Sequence, residues 1–253
     1  MFDYHTHSIY SFDVDKTNGA TIDEMCQQAI KIGLKGIAIT DHYEIVRDED
    51  LLIQRAKMTF DLKEQGDEIF LAKQKYRGSL QVLRGIELGS PAHDMDKTKG
   101  ILSENSFDFI VVSCHRIREH NDFYFVDFEK ESDASLKELW SKYLVELKEQ
   151  IALGIGDSIA HITYPYRYFQ KNNRHHVLDM ENKYREYFAE ILKLMIKKEI
   201  ALEINTSGLR QGLGDTLPNQ YIVDFYRELG GTKVIFGSDA HTKGEIGTEF
   251  LRE

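Results

Sequence analysis

Residues 108–115 read DFIVVSCH, four consecutive apolar residues followed three positions on by a histidine. A strand with one wet face alternates apolar and polar residues, whereas a run apolar at every position fits a parallel sheet covered on both faces. Six further runs of this kind lie along the chain: FDYHTH at 2–7, GIAIT at 36–40, LQVLRGIEL at 80–88, SIAHIT at 158–163, ALEIN at 201–205 and KVIFGSD at 233–239. Segments of helical periodicity separate them, at 22–33, 49–77, 132–153, 179–199 and 219–229. Thr21 with Glu24 three residues on predicts a capping box for the first helix, and Gly230-Gly231 stops the last. Strand–helix alternation at this spacing predicts βαβ units and a parallel α/β sheet. Seven such units suit a closed or nearly closed barrel better than an open sheet, although periodicity alone does not force that choice.

The bulk numbers narrow the class. A chain of 253 residues with 42% hydrophobic content can bury a sizeable core, and three prolines with no low-complexity segment favour one domain, 1–253, over two. No apolar run approaches about 18 residues and no basic leader precedes an apolar segment, so neither a membrane span nor a signal peptide is expected. Cys26 falls in a helical pattern and Cys114 in a strand pattern; two such thiols make no disulfide framework and fit a reducing cytoplasm. Lys and Arg total 32 against 42 Asp and Glu, and the resulting charge of −10 has the wrong sign for gripping long nucleic acid.

Polar residues gather at the C-terminal ends of the predicted strands: His5 and His7, Asp41-His42, Glu87, His115, His161, Asn205, and Asp239 with His241. In a strand, residues i and i+2 share a face, so His5-x-His7 presents two imidazoles together, and Asp239-x-His241 repeats the spacing. Asp13 follows in the loop leaving the first strand. In a βα barrel all these ends open on one face, where active sites sit. Taken singly, a histidine is more often a hydrogen-bonded structural group, and Glu87 or Asp239 could be a helix cap or ion-pair partner. His93, His120, His175 and His176 fall in polar loops and are expected at the surface. Taken together, five of the seven predicted strands deliver a histidine to one rim. Histidine and carboxylate without thiolate suit Zn²⁺, Mn²⁺ or Fe²⁺ in an open, catalytic site.

The motifs HTHS (5–8), TDH (40–42), a lone Glu87 in GIELG and SDAH (238–241) resemble the polymerase and histidinol phosphatase (PHP) superfamily. SCHRI (113–117), HITYPYRYF (161–169) and EINTSGLRQGLGDTLPNQYIVDFYRELGG (203–231) are similar to its histidinol-phosphatase branch. The resemblance implies a distorted (β/α)7 TIM-like barrel with its site at the C-terminal strand ends. It implies three divalent metal ions (Zn, Mn or Fe) and hydrolysis of L-histidinol phosphate to L-histidinol and phosphate in histidine biosynthesis. Carried over by position, it places His5, His7, Glu87 and Asp239 on one ion. Glu87 would bridge to a second held by His115 and His161, and Asp13, His42 and His241 would hold the third. One departure is at the C-terminus. The family continues past SDAH with a further helix and strand, whereas this chain stops at GTEFLRE, implying a less completely closed barrel or a shortened chain.

Three divalent ions bring +6 and Asp13, Glu87 and Asp239 return −3, so the bare site is expected near +3, attractive to a phosphate dianion. Paired ions lower the pKa of water and clamp the attacking oxygen, which phosphate monoesters need given their slow spontaneous hydrolysis. The groups expected to act are Glu87, Asp239, His241 and Arg210. Arg167 and Arg210 follow predicted strands and are expected to fork onto phosphate, the alternative being surface ion pairs. Arg116, Ser207 and Asn205 are further phosphate candidates, Tyr166 or Tyr168 would pack on an imidazole, and Asp15 or Glu44 would meet an ammonium. Rival readings are another PHP phosphoesterase acting on a small ester or short nucleic acid, a metal-binding regulatory module, and an amidohydrolase. No ligand-type position is missing, which disfavours the module. The partner expected is a small phosphorylated molecule.

Overall fold

The computed structural model describes residues 1–45, 59–118, 120, 122–179 and 181–250. Its strands are β1 (Phe2–Thr6), β2 (Gly36–Ile39), β3 (His42–Glu44), β4 (Gln81–Gly89), β5 (Phe109–Ser113), β6 (Ser158–Ile159), β7 (Ala201–Asn205) and β8 (Val234–Gly237). All pairings are parallel, in the order β1-β2-β4-β5-β6-β7-β8. β2 and β3 are two halves of one strand: Gly36–Ile39 runs along Gln81–Arg84, and His42–Glu44 along Glu87–Gly89. The result is seven staves. The ends meet through a single bridge between Thr6 and Ala240, where His7 N–H donates to the Ala240 carbonyl at 2.8 Å and Asp239 N–H to that of His5 at 2.8 Å. The barrel is thus nearly closed, its seam a single bridge where the shortest of its other ladders has two residue pairs.

Eight helices lie between the strands among the described residues: α1 (Ile22–Lys31), α2 (Leu62–Lys75), α3 (Met95–Glu104), α4 (Asp133–Leu153), α5 (Tyr166–Lys171), α6 (Arg185–Lys198), α7 (Ser207–Arg210) and α8 (Gln220–Glu228). The expected capping box forms, with Thr21 Oγ1 accepting from Glu24 N–H and Glu24 Oε2 from Thr21 N–H. The helix expected over 49–77 is observed from Leu62, capped by Asp61, and its first part lies outside the described residues. α3 was not anticipated; Asp94 caps a sequence of weak periodicity. None of the described helices is long and apolar enough to cross a membrane.

The unbroken apolar character of β5 is explained by what covers it. Trp140, Tyr143, Phe169, Phe188 and Met195, from the surrounding helices, form the main core with Val112 and Ile159. α1 and α2 pack a second cluster against Ile37, Ile39 and Val82. Cys26 and Cys114 are both buried free thiols.

Two expectations need correction. The strand expected over 158–163 ends at Ile159, because the chain turns at His161, whose φ is +25°. His93 is buried rather than at the surface: its Nε2 lies 2.5 Å from Glu146 Oε2, a carboxylate brought in by α4. His120, His175 and His176 are exposed.

Candidate metal centre

The barrel brings all nine ligand-type residues to one rim. β1 slips register against β2 between Asp3 and Thr6, and His5 sits within that irregularity. His42 opens β3, Glu87 lies near the end of β4, and His115, His161 and Asp239 follow β5, β6 and β8. Asp239 has φ +54°, a left-handed conformation costly for a side chain bearing Cβ and seen where surrounding contacts over-determine it.

Glu87 is the hub. Its Oε2 stands 3.2 Å from His5 Nε2 and 3.6 Å from His7 Nε2, while its Oε1 stands 3.2 Å from His115 Nε2 and 3.4 Å from His161 Nε2. Asp239 Oδ1 closes the first group, 3.3 Å from His7 Nε2 and 3.9 Å from His5 Nε2. Asp13 Oδ2 lies 2.8 Å from His241 Nε2 and 3.3 Å from His42 Nε2, a third group joined to the first by His42 Nδ1, 2.6 Å from Glu87 Oε2. The sets His5/His7/Glu87, His42/Glu87/His115 and His7/His42/His241 each bring ligand atoms within 4.8 Å of one another.

These atoms fit cations rather than one another. Glu87 Oε1 and Oε2, His5 Nε2, His7 Nε2 and His42 Nδ1 are buried, yet none makes a hydrogen bond. Buried polar atoms normally find partners, and a convergent group of acceptors without them is what a cation site leaves. The reverse faces of the rings are held. His5 Nδ1 is 2.6 Å from Glu203 Oε1, His115 Nδ1 is 2.8 Å from Glu44 Oε1, and His7 Nδ1 is 3.0 Å from Ser11 Oγ. Such outer partners fix the ring's tautomer and aim its other nitrogen at a metal. Glu203 was not anticipated; the available signal was a carboxylate in the middle of the strand ALEIN, between Leu202 and Ile204. Glu44, considered for an ammonium, gives its Oε1 to His115, while its buried Oε2 makes no hydrogen bond.

Without metal, the histidines and carboxylates balance one another's charge. Burial opposes ionisation of Glu87 and Asp239, but the neighbouring imidazoles outweigh it and hold both carboxyls well below their usual range. Burial also opposes protonation of His115, yet Glu87 and Glu44 lift it to about 10. His7 goes the other way: burial and the charges of His42 and His241 press it down to about 3.

The remaining candidates divide. A cleft of about 650 Å³ above the rim is lined by Arg167, Tyr168 and Arg210 among others. Arg167 lies over the Tyr164 ring, 4.8 Å from its centroid, with Nη2 3.7 Å from Asp239 Oδ2. Arg210 is tied to the main chain, donating from Nη1 to the Ser238 carbonyl at 2.7 Å and from Nη2 to that of Asp239 at 3.1 Å. Asn205 and Ser207 are buried behind Asp239, with Ser207 Oγ donating to Asn205 Oδ1 and 3.1 Å from Asp239 Oδ2, so they support the carboxylate rather than face the cleft. Tyr166 packs against the main core, and Arg116 is not among the cleft's described lining. Asp15 is exposed and bonded to Thr17 and Asn18, away from the cleft. Asp41 is also structural, accepting from Ser8 and Gln65.

Comparison with known proteins places the chain in a family. The PHP domain matches residues 3–207. The chain belongs to the PHP family. A curated PHP relative from Clostridium acetobutylicum, named a probable histidinol-phosphatase, is 30% identical, covering 99% of this chain and 90% of its own. One from Thermotoga maritima of the same name is 29% identical over 100% of this chain and 91% of its own. Among solved structures, a putative histidinol phosphatase from Listeria monocytogenes superposes with a TM-score of 0.85 at 22% identity, covering 99% and 98% of the two chains. The histidinol phosphate phosphatase of Lactococcus lactis, complexed with Zn, L-histidinol and phosphate, gives 0.74 at 22% identity, covering 96% of this chain and 86% of its own. These two show that the PHP barrel is shared.

Proposed function

We propose that this PHP-family chain, acting as one domain over 1–253 in the cytoplasm, hydrolyses L-histidinol phosphate to L-histidinol and phosphate in histidine biosynthesis. The observation that carries the reading is the division of Glu87: one oxygen faces His5 and His7, the other His115 and His161. A carboxylate shared in this way suits two cations side by side. His5, His7, Glu87 and Asp239 would hold one ion, Glu87, His115 and His161 a second, and Asp13, His42 and His241 a third, drawn from Zn, Mn or Fe. When bound, such ions supply a nucleophile at neutral pH and charge for the phosphoryl oxygens.

The protein's own residues set the frame. Glu203 and Glu44 hold His5 and His115 in the tautomer whose Nε2 faces Glu87. They also revise the charge expected of the centre: with Asp13, Glu87 and Asp239 the site has five carboxylates, so +6 from three ions leaves about +1 rather than +3. That smaller excess still receives a phosphate dianion, and it makes arginine more important. Arg167 is the better placed of the two arginines, because Arg210 already spends its Nη atoms on carbonyls. The names of the curated relatives support histidinol phosphate as the ester. A phosphate-release panel tests this, using histidinol phosphate, glycerol phosphate and a diester with Mn²⁺, Zn²⁺ or Fe²⁺. Histidinol phosphate should lead by at least tenfold in kcat/KM; preference for the diester would reject the reading.

A further inference from the structure

One carboxylate in the cleft has no part in the chemistry above. Asp122 caps a single 3-10 turn, Phe123–Phe125, in the segment between β5 and α4. Its Oδ1 accepts both the Tyr124 N–H at 2.8 Å and the Tyr164 hydroxyl at 2.7 Å. Its Oδ2 has neither hydrogen bond nor ion pair among the described residues, and Asp122 lines the cleft. Burial pushes its carboxyl above the usual range, against the opposing pull of the His115 charge and of its two hydrogen bonds. Aromatic rings stand around it. Tyr164 and Tyr168 have centroids 5.4 Å apart, and Tyr124 meets Tyr168 edge-on at 6.4 Å. Tyr124 is 68% exposed at the cleft's lip, where its ring also meets Phe125 edge-on at 5.0 Å.

Tyr164 connects this end to the metal centre. Its ring lies 4.9 Å from that of His115 and 5.2 Å from that of His161, while its hydroxyl rests on Asp122. Arg167 covers the same ring. The cleft is therefore polarised about Tyr164, with an arginine over its ring beside the candidate metal sites and a carboxylate at its hydroxyl among further aromatic rings.

We infer that Asp122, with Tyr124 and Tyr168, forms a cation pocket that selects phosphate monoesters whose alcohol carries a positively charged nitrogen. The inference rests on the phosphomonoesterase reading and adds what decides among esters. A carboxylate in a confined cleft has its charge offset best by a cation, and aromatic faces attract the same charge. A neutral alcohol can offer Asp122 a hydrogen bond but no countercharge, and is disfavoured for that reason. The ammonium and imidazole of histidinol both fit the class.

The test compares kcat/KM for 2-aminoethyl phosphate and glycerol phosphate in the metal-loaded enzyme, with histidinol phosphate alongside. Asp122→Asn keeps an Oδ1 acceptor for Tyr124 and Tyr164 and removes only the charge. The preference for the cationic over the neutral ester should fall roughly 10- to 100-fold, mainly through KM. Inhibition by L-histidinol should weaken in proportion. Tyr124→Ala, at an exposed position that cannot govern folding, should reduce the same ratio several-fold. Equal losses on both esters, or an unaltered ratio in Asp122→Asn, would overturn the cation pocket. If the wild type prefers 2-aminoethyl over glycerol phosphate but ignores histidinol phosphate, the histidinol reading fails and the pocket stands. If histidinol phosphate is turned over and the ratio is unaltered in both variants, the pocket fails and the histidinol reading stands.

Discussion

Glu203 Oε1 lies 2.6 Å from His5 Nδ1, and both side chains are fully buried. The same carboxylate accepts the His161 N–H on Oε2 at 2.6 Å, so one residue of β7 positions candidate ligands of two different groups. Glu203→Gln replaces one acceptor oxygen by an NH₂ that must face a donor. Metal affinity and turnover should each fall roughly 10- to 100-fold. Elemental analysis after dialysis against graded chelator, with kinetics on the same samples, provides the check. Full metal content and full turnover would reduce Glu203 to a packing residue.

The glutamates behind the histidines need room, and glycine provides it. A Cβ at Gly237 would lie 2.1 Å from Glu203 Oε1 and 2.6 Å from His5 Cβ; one at Gly89 would lie 2.2 Å from the Glu44 carboxylate. Neither glutamate can retreat without releasing its histidine. Gly237→Ala and Gly89→Ala should therefore mimic loss of Glu203 and Glu44, with weakened metal retention and a lowered Tm. Wild-type metal retention in both variants would show that the glutamates are not needed where they stand.

Glu87→Gln tests the hub. A neutral amide cannot share charge between the His5/His7 and His115/His161 groups, so occupancy of two sites should fall together. Phosphate release should drop by roughly three orders of magnitude or more, with the far-ultraviolet circular dichroism retained. Loss of a single ion with turnover nearly intact would dissolve the bridging assignment.

The parallel barrel and the convergence of nine ligand-type residues were legible because each depends on a local signal, an apolar run followed by His, Asp or Glu at its end. What escaped depends on partners distant in sequence. Glu203 reads as an oddity within ALEIN until β1 brings His5 beside it. His93 looks like a loop residue until Glu146 on α4 reaches it. The early end of β6 follows from the backbone at His161, which no pattern of apolar residues records. Arg210 shows the limit most clearly. Its neighbouring motif marks it as a site residue, but only the fold reveals that its guanidinium holds carbonyls.

The two arginines should accordingly separate. Arg210 donates to the Ser238 and Asp239 carbonyls and stands 3.3 Å from Glu245 through Nε, which pins the left-handed backbone at Asp239. Arg210→Ala should let that backbone relax, so the Asp239 carboxylate leaves its place beside His7. Metal content should fall by up to one ion per chain, and turnover with it. Arg167 is held less tightly: its Nε is buried without a hydrogen bond, and Nη2 makes two long contacts, 3.4 Å to Ser207 Oγ and 3.7 Å to Asp239 Oδ2. Arg167→Ala should keep the full complement of metal. It should still lose a charge-assisted contact worth roughly 2–4 kcal/mol, or about 30- to 1,000-fold in kcat/KM. Arg167→Lys should recover only part, because a point charge lacks the planar fork. Metal analysis and steady-state kinetics on the same preparations decide the matter. Full metal with depressed kcat/KM in Arg210→Ala would assign the phosphate contact to Arg210, and wild-type kinetics in Arg167→Ala would take Arg167 out of the site.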